Sequence, residues 1–165
     1  MFGFGKNKTS DAEAERQAQI DKAKLELRKF VHDLADLKPE DMERKIKQLK
    51  DWCNHDKLVP FDFKQKALKR AAEMERAANM LYCDTRMHSA QDAAITDNQK
   101  LKGMHLAEAR KYFGRACTLG ADADWRTAFK RAEEALLLTG GMKHDAPSRA
   151  KPLDTAPKAP NRAKV

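Results

Sequence analysis

The residues able to do chemistry are few and scattered. Three cysteines, Cys53, Cys83 and Cys117, lie far apart and never form a CxxC pair. Structural zinc takes four nitrogen or sulfur ligands, commonly as two close pairs. Cys53-Asn54-His55 offers one such pair, while His88 and His105 stand well away from it. A nucleophilic cysteine needs a base beside it and a lowered pKa, and the sequence assigns a base to none of the three. Neither GxSxG nor a Walker lysine loop is present, and Phe2-Gly3-Phe4-Gly5 is too short to cradle a phosphate. Glu133-Glu134 sits where helical surface is expected. The expectation is a chain without enzymatic activity, metal or cofactor, carrying reduced and mostly buried thiols.

Charge carries more information. Over residues 44–70 nine Lys/Arg stand against three Asp/Glu, whereas over 11–37 five stand against seven. Arg44, Lys45, Lys47 and Lys50, followed by Lys64, Lys66, Lys69 and Arg70, are a candidate polyanion patch with Phe61 and Phe63 interleaved. Clustered cations beside aromatics suit a phosphate backbone or a single strand. Nucleic acid is therefore a possible partner, bound without sequence specificity. Phe2, Phe4, Leu58, Val59 and Phe61 are apolar residues in segments that read as exposed, and they are candidate contacts for a protein partner.

These residues must be positioned by helices. Of the 165 residues, 41% are apolar and 35% charged, with only seven glycines and six prolines. That balance suits amphipathic helices and excludes a β-sandwich with frequent turns. Residues 1–9 read as a flexible, basic start. Ser10 and Glu13 form a capping box, and Ile20, Ala23, Leu27, Phe30, Val31, Leu34 and Leu37 then form one helical stripe. Pro39 opens a second helix through Met42, Ile46, Leu49 and Trp52. Asp62 and Gln65 cap a third from Phe63 to about Met87, and Ser89 begins a fourth region that Thr96-Asp97-Asn98 can interrupt. Gly120 ends it and Asp124 caps a fifth helix, closed by Gly140-Gly141. The Ala/Pro/Lys-rich residues 142–165 read as a disordered basic tail.

Ala109, Phe113 and Ala116, followed by Leu119-Gly120-Ala121-Asp122, resemble the second helix and turn of a tetratricopeptide repeat. The resemblance covers about fourteen residues. Ala93, Thr96, Asp97 and Lys100 depart from that repeat's first helix, its turn proline is absent, and no second copy recurs at its period of about 34 residues. The resemblance implies an antiparallel helix pair rather than a repeat array.

The sequence thus predicts an all-α fold of about five antiparallel amphipathic helices over 10–141, with Phe30, Leu34, Trp52, Leu81, Phe113 and Phe129 in its core. No apolar run is long enough to span a membrane, so the expected compartment is the cytoplasm. The expected role is that of a helical adaptor or structural subunit that binds other proteins.

Overall fold

The computed structural model of the chain describes residues 7–139, with side-chain surroundings from residue 11 onward. Phe2, Phe4, Gly140-Gly141 and the expected tail lie outside them. Among the described residues the fold is all-α. Helix α1 (Asn7–Asp33) ends in a short 3-10 turn, Leu34–Asp36, and is followed by α2 (Pro39–His55), α3 (Phe61–Ile95), α4 (Gln99–Thr118) and α5 (Ala123–Leu138).

α3 organises the rest. Its 35 residues contain neither glycine nor proline, so nothing in the backbone stops it over about 52 Å. The start expected at Ser89 is instead helix interior, where the hydroxyl donates back to the Thr85 carbonyl at 3.1 Å. The break comes at Thr96-Asp97-Asn98. Asp97 takes a left-handed φ of 53°, and the Asn98 side chain accepts from Leu101 N–H at 3.0 Å, capping α4.

Two cores form along this spine. The first gathers Leu27, Val31 and Leu34 from the first helix and its 3-10 turn, Met42, Ile46 and Leu49 from α2, and Ala71 from α3. The second joins Cys83, Met87 and Ala90 of α3 to Leu106, Ala109 and Tyr112 of α4 and to Phe129 and Leu136 of α5. Ala109 and Ala116 are fully buried, letting α4 approach α3 closely. Phe113 stacks on Phe129 with ring centroids 4.1 Å apart. α4 runs back along α3, and α5 returns antiparallel to α4, as the contacts of Lys102 with Leu136 and of Arg110 with Glu133 require.

Several local expectations need correction. Residues 7–9 are helical and Ser10 lies inside α1, because no breaker follows Gly5. The cap of α5 is Asp122, whose carboxylate accepts from Trp125 N–H at 2.7 Å, and not Asp124. α3 begins after Pro60 without a side-chain cap, so Asp62 does not serve as one. Leu34 and Phe129 are buried, while Phe30 and Phe113 are partly covered. Trp52 is 37% exposed and Leu81 is 64% exposed. Leu81 lies two residues from Cys83, which packs with α4, and this puts it on the far side of the helix. Trp52 lies at the edge of α2 beside α1, where no third helix covers it.

The connection between α2 and α3 folds back over the start of α3. Asp56 accepts from Val59 N–H at 2.9 Å and pairs with Lys64 Nζ at 3.0 Å. Lys64 Nζ also donates to the Asp56 carbonyl. Burial raises the Asp56 carboxyl, but those bonds outweigh it and hold the group below its usual range. Val59 is only 4% exposed and Lys64 is buried with it. Removing one partner of such a pair strands the other charge. Lys64→Ala is expected to lower unfolding free energy by about 3–5 kcal/mol, measured by urea denaturation. Lys66→Ala, on exposed surface, is expected to stay within about 0.5 kcal/mol. In the same assay Leu34→Ala should cost roughly 2–5 kcal/mol and Leu81→Ala a small fraction of that.

Candidate interaction surfaces

The helix packing distributes the basic stretch over separate surfaces. Arg44, Lys47 and Lys50 project from α2 into a cleft of about 590 Å³ shared with α3 and α4. Lys45 points the other way and lies over the Phe30 ring, 5.8 Å from its centroid. Lys66 and Arg70 border a groove between α3 and α1. Lys69 is exposed on α3. Lys64 is withdrawn into the pair with Asp56 and is not part of a solvated patch. The eight residues therefore do not make one continuous surface, because α2 and α3 turn their polar sides in different directions.

The α2–α3–α4 cleft is electrostatically mixed. Glu40 and Glu43 near the start of α2 meet Lys111 and Arg115 near the end of α4, both at 2.9 Å. Acids at a helix N-terminus and bases at a C-terminus also complement the two backbone dipoles. The hydrogen bond from Lys111, with a second from the Tyr112 hydroxyl at 3.0 Å, pulls the Glu40 carboxyl down from 4.5 to about 2. Burial, and then the neighbouring Glu43, push the Glu75 carboxyl up. Three carboxylates, Glu40, Glu43 and Glu75, thus share this cleft with Arg44, Lys47, Lys50 and Arg115.

Two grooves flank α1. The one toward α2, about 330 Å³, is largely apolar and lined by Leu27, Phe30, Leu49 and Trp52 with Glu26 and Gln48 at its rim. The one toward α3, about 230 Å³, has Val31, Phe63 and Ala67 in its lining and Arg28, Lys66 and Arg70 around them. Lys24 and Arg28 sit over the Phe63 ring at 5.9 and 5.3 Å from its centroid, a favourable cation–π arrangement. Of the expected partner contacts, Leu58 (42%) and Phe61 (71%) are exposed. Val59 is not, since the Asp56 turn folds it into the first core. The sequence reading missed Lys24 and Arg28. Their spacing of four residues on α1 was visible, but not the pairing of α1 with α3.

Two of the thiols, Cys53 and Cys83, are poor nucleophiles. Burial pushes the Cys83 pKa up to about 12 and raises that of Cys53. Among the described residues no group of three or more His, Cys, Asp or Glu side chains is placed to hold a metal ion, and no helix is long and apolar enough to cross a membrane. No protein-family model, curated protein or solved structure matches this chain.

The Glu40 contacts have a pH signature. A carboxyl with a depressed folded pKa adds stability that is fully present above its unfolded pKa and lost as pH falls through the folded value. For Glu40 that window runs from 4.5 down to about 2. Glu40→Gln should flatten the stability–pH curve within the window, read from urea midpoints of the variant and the parent.

Proposed function

We propose that this protein is a non-enzymatic helical adaptor or structural subunit that acts by binding another protein. The observation carrying this reading is the apolar groove between α1 and α2, where Trp52 stands 37% exposed beside Leu27, Phe30 and Leu49. A tryptophan at the edge of an apolar groove is the kind of anchor that dominates protein interfaces. Leu58 and Phe61, exposed in and just after the α2–α3 connection, add apolar surface near the same end of α2. The partner suited to this groove is an amphipathic helix presenting apolar side chains at intervals of three and four. The cytoplasm is the compartment we propose for it, in keeping with the reduced thiols.

The nucleic-acid reading is weaker because its parts are separated. The cations of α2 share a cleft with three carboxylates, and Lys64 is internally paired. Phe63, the aromatic nearest Lys66, carries two cationic side chains of its own chain and does not offer a free face for base stacking.

Affinity purification of the full-length protein from its native source, with and without nuclease, tests the proposal. Protein partners should persist after nuclease treatment. They should be depleted at least about tenfold by Trp52→Ala, with helical content by circular dichroism unchanged. Partners lost on nuclease treatment, or indifferent to Trp52, would overturn it.

A further inference from the structure

The cleft shared by α2, α3 and α4 holds a carboxylate without a partner. Glu75 lines it from the middle of α3 and is half-buried. Among the described residues its carboxylate makes neither an ion pair nor a hydrogen bond. The other two acids of the cleft are engaged, Glu40 with Lys111 and the Tyr112 hydroxyl, Glu43 with Arg115. α2 also brings Lys47 and Lys50 to the cleft, and Arg44, which Asp41 holds loosely at 3.7 Å. α1 and its 3-10 turn bring no charged group to it. Glu75 belongs to neither apolar core, and nor does Asn79 one turn further along α3, although Asn79 is only 1% exposed. Apolar packing along α3 is therefore interrupted at the level where α4 ends and α2 begins. Burial and an adjacent like charge both disfavour an ionised carboxyl, whereas nearby cations favour it. Here burial comes first and Glu43 second, and together they outweigh Lys50 and Arg115, so the Glu75 carboxyl is raised.

We infer that the junction of α2, α3 and α4 is a proton-operated joint, closed when Glu75 is neutral and opening more readily when Glu75 is ionised. Ionised, Glu75 is a half-buried charge without a partner, and it repels Glu43, the acid that bridges α2 to Arg115 of α4. Separating the end of α4 from the start of α2 returns Glu75 to water and relieves both costs. Neutral, Glu75 carries neither, and Glu43 keeps its bridge. Linkage fixes the sign. A carboxyl raised above its ordinary 4.5 in the closed form stabilises that form fully below 4.5, and the contribution is lost as pH rises through the raised value. Glu40 acts outside this range, since its own window runs downward from 4.5. Each apolar core stays intact on opening, so acidity sets how firmly the two halves are tied along α3. The cleft shares no lining residue with the Trp52 groove, and the joint stands whether or not that groove binds a protein.

Carbon-13 NMR of the full-length protein, following the Glu75 side-chain carboxyl through an acid-to-neutral titration, tests the inference directly. Its midpoint should lie above 4.5. Glu43→Gln should move that midpoint down, because the like charge is gone. Amide hydrogen exchange reads the joint itself. In the parent, protection factors in the last turn of α4 and over Glu43–Lys47 of α2 should fall as pH rises through the Glu75 midpoint. Leu49 and Leu106, inside the two cores, should exchange more slowly throughout, as local opening requires. In Glu75→Gln, where the side chain stays neutral, the junction amides should lose that fall. A Glu75 midpoint at or below 4.5, junction amides as slow as the cores, or a pH dependence that survives in Glu75→Gln would each overturn the joint.

Discussion

An unbroken α3 is the constraint on which this structure depends. A helix of 35 residues is longer than any neighbour the chain supplies, so one set of partners cannot cover it. α1 and α2 bury its first half, and α4 and α5 bury its second. Between them lies Asn79, only 1% exposed and a member of neither core. Its amide donates to the Glu75 carbonyl at 2.9 Å, while its Oδ1 has no protein partner. A buried polar side chain thus sits at the seam where the two apolar clusters meet.

Charge bridges that seam. Glu40 and Glu43 of α2 reach Lys111 and Arg115 of α4 across it, and Arg76 in the middle of α3 donates to the Gly120 carbonyl at 3.3 Å. Exposed ion pairs are individually weak. Here they gain from Tyr112, whose ring belongs to the second core while its hydroxyl bonds Glu40. One residue thus ties apolar packing in one half to the helix start of the other.

The same arrangement decides which surfaces remain for partners. Covering both ends of α3 leaves α1 with only its second half packed, flanked by an apolar groove on one side and a basic one on the other. The conspicuous cations of the sequence are divided by this geometry. Some share the α2–α4 junction with carboxylates and one is buried, while α1 contributes two that lie beside the basic groove. In the proposed reading, recognition centres on α1 and its neighbours rather than on the most basic stretch of the chain.

Helix content, the position of α2 behind Pro39 and the turn at Gly120 were legible in the sequence, because they follow from local chemistry: hydrophobic period, fixed proline φ and the left-handed freedom of glycine, here at φ 81°. The stripe through Leu27, Val31 and Leu34 was equally readable, since its intervals admit only one face. What local chemistry could not settle was how far each helix runs and which of its faces is covered. Ser89 looks like a cap in isolation, yet α4 packing along α3 favours continuing the helix through it. Lys64 looks like a solvated lysine until the Asp56 turn closes over it, and Val59 is buried by the same closure. Trp52 and Leu81 have core-forming side chains, but burial depends on a neighbour being present on their side, and none is. Joining Lys66 and Arg70 to Lys24 and Arg28 required two helices distant in sequence to lie side by side. Only the tertiary structure decided that, because it depends on long-range packing that no local pattern encodes.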